Sequence, residues 1–335
     1  MQYGNVAGVD RPVSRIAFGT ATPKLFAAFR SVYGEAPDFD ARLDDAFALL
    51  DRMYALGVNC FDCADHYGEE PLGEWLAARG LHDQVVILAK GAHHNRWRRR
   101  VTDFDILHDA HNTLAKLGKR PDMYLLHRDD PSVPVGPIVD VLNRLRDEGK
   151  IGIFGASNWT IERFQEANDY ALKHGLQPFT VASPNFGLAE QVRDPWGGGC
   201  QSISGPDGAE ARRFYAENNI PIFAYSPLAR GLFSGRFDSA HPERAAEVMD
   251  EFGVKGYASP ENFERLRRCE ILASERGTSV PMIAMAWLFH RQPLDVYALS
   301  GSTREETMKM NIAACEFPLS EAECRWLDLQ MDARP

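Results

Sequence analysis

Residues 57–76, "GVNCFDCADHYGEEPLGEWL", carry side chains suited to two different chemistries. Cys60 and Cys63 form a C-x-x-C pair, which is a spacing found in redox and metal sites. Asp62 and Tyr67 instead offer a carboxylate and a phenol for acid–base catalysis. The secondary structure around these residues decides between the two chemistries. The thiols of a redox pair are activated where a helix begins, so the position of the pair relative to a helix matters.

Short apolar segments recur along the chain, and a longer helix-like segment separates most of them. They cover residues 15–20, 58–62, 85–90, 123–127, 151–158, 179–183, 220–226 and 296–302. Such segments are typical of strands buried on both faces of a parallel sheet. Eight strands alternating with helices favour a closed (β/α)8 TIM barrel, an α/β fold, over a doubly wound sheet. Because no linker interrupts the pattern, we predict a single domain over residues 1–335.

Four of the intervening segments have the periodicity of amphipathic helices, namely 41–57, 105–122, 138–150 and 261–277. In the first of them the predicted apolar stripe ends at Gly57, a helix stop, and consists of Leu43, Phe47, Leu50 and Tyr54. Two connections are long, 21–40 and 187–208. The second follows the sixth strand, where the loops of a barrel line its active site, so we expect long loops at the C-terminal face.

In a TIM barrel the residues that end the strands meet at one mouth. Asp62, Lys90 and His127 each end a predicted strand, and Tyr67 lies on the loop after Asp62. Taken singly, each has a structural alternative, such as a buried ion pair or packing. Together they predict a catalytic cluster. The C-x-x-C pair ends a strand instead of opening a helix, so we interpret both cysteines as core residues.

The chain resembles the aldo-keto reductases over nearly its whole length. Six motifs resemble those of the family and occur in the family's order: "FDCADHYG", "ILAKG", "YLLH", "GKIGIFGASN", "AYSPLARGLFSG" and "LSGSTREETMKMNIAA". The resemblance implies an NAD(P)H-dependent oxidoreductase that reduces an aldehyde or ketone to an alcohol. It also leaves open an alternative, a nicotinamide-binding regulatory subunit of the potassium-channel β type with little turnover.

The resemblance implies a catalytic role for Asp62, Tyr67, Lys90 and His127. Tyr67 would be the general acid and base, and His127 would orient the substrate carbonyl. A nearby ammonium favours a phenolate, so we expect Lys90, held by Asp62, to lower the pKa of Tyr67.

The implied cofactor is NADP(H). No G-x-G-x-x-G motif follows a strand, so a Rossmann-type site is not expected. Ser302, Thr303 and Arg304 would hold the 2′-phosphate. Thr307, Met310 and Ser183 depart from the residues common in the family. The full set of expected cofactor residues is Gly19, Thr20, Asp62, Ser157, Asn158, Ser183, Tyr225, Ser226, Leu228, Arg230, Gly231, Gly301, Ser302, Thr303, Arg304 and Asn311.

The candidate substrate contacts are His93, Trp97, Trp159 and Trp196. A preference for sugar carbonyls is suggested by the polar and aromatic loop residues Trp159, Trp196, Arg193 and Gln201. No metal is expected, because His93 and His94 are adjacent and diverge, which makes them a poor chelating pair.

The composition is that of a globular protein with a formal net charge of −10, which argues against nucleic-acid or anionic-membrane partners. The expected partner is a small-molecule carbonyl substrate, and homo-oligomer formation is left open. Four of the six cysteines have no close neighbour in sequence, which favours reduced thiols. With no secretory signal and no apolar stretch of membrane-spanning length, we expect a cytoplasmic location.

Overall fold

The computed structural model describes residues 1–290 and 293–335. The strands are β1 (Tyr3–Gly4), β2 (Val13–Ser14), β3 (Ile16–Gly19), β4 (Cys60–Ala64), β5 (Val86–Gly91), β6 (Met123–Leu126), β7 (Ile153–Ala156), β8 (Val181–Ala182), β9 (Ile222–Ala224) and β10 (Val296–Ser300). The first two form a two-stranded antiparallel sheet, and the other eight form a closed parallel barrel in the order β10-β3-β4-β5-β6-β7-β8-β9. Each barrel strand lies within or overlaps one of the eight apolar segments, so the predicted barrel is confirmed.

Helices follow most of the strands, as a TIM barrel requires. They are α1 (Pro23–Ala27), α2 (Arg30–Tyr33), α3 (Phe39–Ala55), α4 (Glu69–Arg79), α5 (Asp103–Leu117), α6 (Val135–Asp147), α7 (Ile161–Lys173), α8 (Ala209–Glu217), α9 (Ala245–Val248), α10 (Glu251–Tyr257), α11 (Pro260–Glu275), α12 (Val280–Phe289), α13 (Glu305–Ala314) and α14 (Glu321–Leu327). In the part of the chain that the structure describes, none of them is long and apolar enough to cross a bilayer.

The four predicted helices correspond to α3, α5, α6 and α11, but the predicted apolar stripe of α3 was wrong at three of its four positions. Of the four residues proposed for it, only Leu50 is buried. The buried face consists of Phe39, Ala46, Leu49, Leu50 and Met53. The small side chain of Ala46 occupies the packed face, while the larger Phe47 is half-buried beneath the guanidinium of Arg79. Burial on α3 therefore does not follow side-chain size.

The chain divides into two compact units. The first contains Met1–Ser183 and Gly301–Met308, and the second contains Pro184–Ser300 and Lys309–Pro335. The first carries β1 to β8 and the second carries β9 and β10. The expectation of one domain over residues 1–335 stays a prediction.

Gly155 lies where β7 pairs with β8, and we expect Gly155→Ala to lower the free energy of unfolding by about 3 kcal/mol. An added Cβ would stand 1.8 Å from the carbonyl oxygen of Val181, which the strand pairing fixes. Gly301→Ala is the control, since the nearest atom that the structure describes for its Cβ is the carbonyl oxygen of Gly19, at an ordinary contact distance of 3.6 Å. Urea unfolding of both variants without cofactor checks this, and equal stabilities would contradict it.

Candidate active site

Asp62, Tyr67 and Lys90 meet in one buried cluster. The parallel pairing of β4 with β5 aligns Asp62 with Leu88, two residues before Lys90. The Lys90 Nζ donates to Asp62 Oδ1 and, at 3.3 Å, to the Tyr67 hydroxyl. The Tyr67 hydroxyl donates to Asp62 Oδ2 at 3.3 Å. All three residues are at most 8% exposed. The predicted carboxylate, phenol and ammonium are therefore brought together.

A tight turn after β4 places Tyr67. The backbone N–H groups of Ala64 and Tyr67 each donate to the other's carbonyl at 2.9 Å. Gly68 follows with φ of 76°, and a Cβ there would overlap the Thr20 side chain. Thr20 in turn donates from its backbone N–H and its hydroxyl to the Asp62 carbonyl, at 3.0 and 2.7 Å. Only glycine fits at Gly68, so the close approach of Thr20 fixes the turn.

The pKa of Tyr67 shifts opposite to our expectation. Burial raises the pKa of the phenol above its ordinary value, and Asp65 and Glu69 add to the rise. Burial also lowers the pKa of the Lys90 ammonium, which weakens its pull on the phenol. The buried Arg128 opposes the rise. Tyr67 therefore holds its proton at neutral pH, which is the form that a proton donor needs.

His127 lies beside this cluster, directly after β6. Its backbone N–H donates to the Gly91 carbonyl at 2.7 Å, and its ring centroid is 6.1 Å from that of Tyr67. Burial lowers the pKa of His127 well below its ordinary value, with Lys90 contributing, so the imidazole is neutral. Within residues 1–290 and 293–335, its buried Nδ1 has no hydrogen-bond partner. A neutral ring with spare hydrogen-bonding capacity can orient a small molecule near Tyr67.

Ser157, Asn158 and Ser183 form a hydrogen-bonded group after β7 and β8. The Ser157 hydroxyl donates to the Ser183 carbonyl at 2.6 Å. The Asn158 side-chain amide donates to the His127 carbonyl at 3.1 Å and to Ser157 Oγ at 3.0 Å. The group therefore links predicted cofactor residues to the backbone of a predicted catalytic residue.

Three non-glycine residues that lie one or two positions after a barrel strand adopt the left-handed conformation. Ala92 follows β5, Asn158 follows β7 and Ser226 follows β9, with φ of 60°, 60° and 53°. The Ala92 N–H donates to the Asp109 carboxylate at 2.9 Å. This conformation costs roughly 1–2 kcal/mol for a residue with a Cβ, so surrounding contacts must hold it.

Several predicted residues lie in the second unit and are grouped around Tyr225. The ring of Trp196 lies 6.2 Å from that of Tyr225, and the Arg230 guanidinium lies 5.4 Å from the Trp196 ring. Arg230 also pairs with the Asp250 carboxylate. Leu228 and Gly231 lie in the same loop and share a backbone hydrogen bond. The loop 187–208 and the segment after β9 therefore contribute to one aromatic and cationic group.

The last predicted cofactor segment begins at the end of β10. Gly301 and Arg304 are exposed, while Ser302 and Thr303 are half-buried. They precede α13, whose first turn carries Glu305 and Glu306. Within the second unit, the Asn311 amide donates to the Ser300 hydroxyl at 2.9 Å. Its buried Oδ1 accepts no hydrogen bond from any residue that the structure describes.

The predicted substrate contacts receive unequal support. Trp97 is 74% exposed and lies under the Arg96 guanidinium. Trp159 is buried, and its indole N–H donates to the Arg128 carbonyl at 3.3 Å. These contacts are those of a packed residue and give its substrate role no support. His93 lies close to His127, with ring centroids 4.8 Å apart.

Sequence reasoning missed two residues at this site, His66 and Arg128. His66 directly precedes Tyr67, and its ring centroid lies 5.3 Å from that of His127. Arg128 directly follows His127, and its charge acts on the pKa values of Tyr67 and His127. Their adjacency to two predicted catalytic residues was the signal that could have found them.

The C-x-x-C pair lies in β4, as predicted, and both thiols are buried. Burial raises the pKa of Cys60 and of Cys63, which makes their thiols inert. All six cysteines are free. The interpretation of Cys60 and Cys63 as core residues is therefore supported.

Comparison with known proteins gives a consistent assignment. A model described as the Aldo/keto reductase family matches residues 38–329. An uncharacterized oxidoreductase of Mycobacterium tuberculosis is 30% identical, over 96% of this chain and 90% of the relative. The aldo-keto reductase YhdN of Bacillus subtilis is 26% identical, over 91% of this chain and 86% of the relative. A norsolorinic acid reductase of Emericella nidulans is 27% identical, over 85% of this chain and 71% of the relative. Since the family model spans most of the sequence, this chain belongs to the aldo/keto reductase family, a family of oxidoreductases that act on carbonyl groups.

Proposed function

We propose that this protein reduces an aldehyde or a ketone to an alcohol with NADPH, and that Tyr67 supplies the proton. One observation carries the proposal: the buried Tyr67 hydroxyl lies 3.3 Å from Lys90 Nζ and 3.3 Å from Asp62 Oδ2. A phenol held this way, beside a neutral imidazole, is suited to protonating a carbonyl oxygen.

Each residue of the cluster has a separate task. His127 donates a hydrogen bond from its ring to the carbonyl oxygen and fixes its direction. Tyr67 donates its proton to that oxygen, and Lys90 stabilises the negative charge that develops on the phenolate. Asp62 keeps Lys90 pointed at Tyr67 and balances its charge. The nicotinamide, when bound, supplies the hydride. In the reverse direction, Tyr67 accepts the proton from the alcohol.

The residues present fit a nicotinamide dinucleotide. Asn158 and Ser157 are amide and hydroxyl groups beside His127, suited to the carboxamide of a nicotinamide ring. The buried Asn311 Oδ1, which accepts no hydrogen bond from the described residues, suits an amino group of an adenine. Ser302, Thr303 and Arg304 lie where α13 begins, and a helix start attracts phosphate groups. We infer that these residues hold the cofactor.

Among carbonyl compounds, we propose that sugar carbonyls are the preferred substrates. The polar and aromatic residues of the loop 187–208, Trp196, Arg193 and Gln201, support hydrogen bonding and stacking with a polyhydroxylated chain. Trp159 is buried and therefore does not support the preference for sugars. A relative is named a norsolorinic acid reductase, so compounds resembling norsolorinic acid are the competing class.

A turnover screen tests the proposed activity. The protein is mixed with NADPH and with aldoses, keto-sugars, aromatic aldehydes and aromatic ketones in turn, and nicotinamide absorbance is followed. We expect steady turnover with at least one carbonyl and the highest kcat/KM among sugars. Tight NADPH binding with negligible turnover across the panel would overturn the proposal and favour a regulatory subunit.

Arg304 tests the choice of NADPH over NADH. We expect Arg304→Ala to raise the Kd for NADPH by about tenfold or more, since a hydrogen bond to a charged group contributes about 1.5–3 kcal/mol. The Kd for NADH should change little, because NADH lacks the 2′-phosphate. Glu305 and Glu306 weaken the attraction of this helix start for an anion, so Arg304 carries the selectivity. Fluorescence titration with both cofactors measures it, with Arg144→Ala as a surface control. An equal rise in Kd for both cofactors would show that Arg304 does not bind the 2′-phosphate.

A further inference from the structure

Three histidines from three different loops meet beside Tyr67. His66 precedes Tyr67 after β4, His93 follows β5, and His127 follows β6. One ring nitrogen of each lies within 4.8 Å of the others. The ring centroids are 4.4 Å apart for His66 and His93, 4.8 Å for His93 and His127, and 5.3 Å for His66 and His127. The sequence showed only the adjacent His93 and His94 and therefore predicted no metal.

Two of the three rings carry the kind of hydrogen bond that is common in metal-binding histidines. The Nδ1 of His66 hydrogen-bonds the Asp65 carboxylate at 2.8 Å. The Nδ1 of His93 hydrogen-bonds the His94 carbonyl at 2.7 Å. Metal-binding histidines commonly use one nitrogen in this way, which fixes the tautomer and leaves the other as a ligand. The third ring, His127, has a buried Nδ1 that bonds no group in the described chain.

The chemistry of the three ligands selects the metal. Three imidazoles and a water form a tetrahedral site for Zn²⁺, with Zn–N distances of about 2.0–2.1 Å, which puts the nitrogens about 3.4 Å apart. In the structure the three nitrogens lie within 4.8 Å of one another, so the side chains must move closer to bind the ion, and the His66 side chain is 45% exposed. Mg²⁺ and Ca²⁺ require oxygen ligands, and the nearby cations Lys90 and Arg128 oppose an ion that is held by charge alone.

We propose that His66, His93 and His127 bind one Zn²⁺-type divalent transition-metal ion, and that the bound ion blocks the carbonyl-binding position. Binding requires only the three rings. The block rests on the proposed function, since the ion would occupy the His127 ring that otherwise orients the carbonyl oxygen. The protein would then be a reductase that such metals inhibit reversibly, without unfolding it.

Direct metal binding tests the first part. Chelator-treated protein comprising residues 1–335 is titrated with Co²⁺, which is followed by its visible absorption, and with Zn²⁺, which is followed by calorimetry. We expect one ion per chain with tetrahedral Co²⁺ bands, and no binding of Mg²⁺ under the same conditions. His66→Ala and His93→Ala should each weaken binding at least tenfold. His108→Ala, which removes an exposed histidine of α5, should bind as the wild type does.

The results of these experiments distinguish metal binding from inhibition by the bound metal. Absence of saturable 1:1 binding, or wild-type affinity in both His66→Ala and His93→Ala, would overturn the metal site. Because the His66 side chain is 45% exposed, we expect its variant to keep the fold, which circular dichroism checks. Zn²⁺ should inhibit turnover of the wild type, EDTA should restore it, and His66→Ala should resist. Metal binding in a protein that reduces no carbonyl would retain the site and refute the proposed function.

Discussion

Tyr67→Phe is expected to lower kcat for carbonyl reduction by about 10²–10⁴-fold, the usual contribution of a general acid. The substitution removes the only atom of this side chain that can donate a proton and keeps the ring. The Kd for NADPH should stay near its wild-type value, because the hydroxyl bonds Asp62 and Lys90 within the protein. Single-turnover kinetics and a cofactor titration measure the two quantities separately.

The matched control is Tyr124→Phe. Tyr124 lies on β6, is fully buried, and its hydroxyl has no hydrogen-bond partner among residues 1–290 and 293–335. Removing that hydroxyl should leave kcat unchanged, because it is not part of the cluster. If Tyr67→Phe retains wild-type kcat, the proton comes from another group and the assignment is wrong.

Lys90→Met is expected to lower the free energy of unfolding by about 3–5 kcal/mol as well as to abolish most turnover. Lys90 and Asp62 are a buried ion pair, with 3% and 6% of their side chains exposed. Removing one partner leaves a buried carboxylate without its counter-ion, which costs far more than the pair contributes when intact. Urea unfolding measures the loss.

The double variant Asp62→Asn/Lys90→Met distinguishes this cause from simple misfolding. It removes both charges, so it should recover most of the stability while staying inactive. The surface control is Arg144→Met, whose exposed pair with Glu148 has an N–O distance of 3.8 Å and should contribute less than about 1 kcal/mol. A double variant as unstable as Lys90→Met would show that the buried charge is not the cause.

The barrel was predictable because its signal is local and repeated. Each strand is a short apolar segment, and this pattern does not depend on which residues face the interior. The face of α3 was not predictable in the same way. Burial there depends on how closely the helix approaches its neighbours, and a small Ala46 reaches the core where the larger Phe47 does not.

The cluster of Asp62, Tyr67 and Lys90 was predictable because strand ends converge in a barrel. Two other features of the site were not predictable. The pKa direction of Tyr67 depends on burial and on Asp65 and Glu69, which only the folded chain places around it. The meeting of His66 with His93 depends on two loop conformations, for which the sequence has no periodic signal.

The left-handed residues after the strands bear on attempts to raise the heat resistance of this enzyme. At Ala92, glycine would relieve roughly 1–2 kcal/mol of Cβ strain but add about 0.4–1 kcal/mol of unfolded-chain entropy, so a small net gain remains. At Asn158, glycine would also delete the amide bonds to His127 and Ser157, each contributing about 1 kcal/mol. Glycine is thus expected to stabilise the fold slightly at Ala92, after β5. It is not expected to do so at Asn158, after β7, because the side chain there also positions His127.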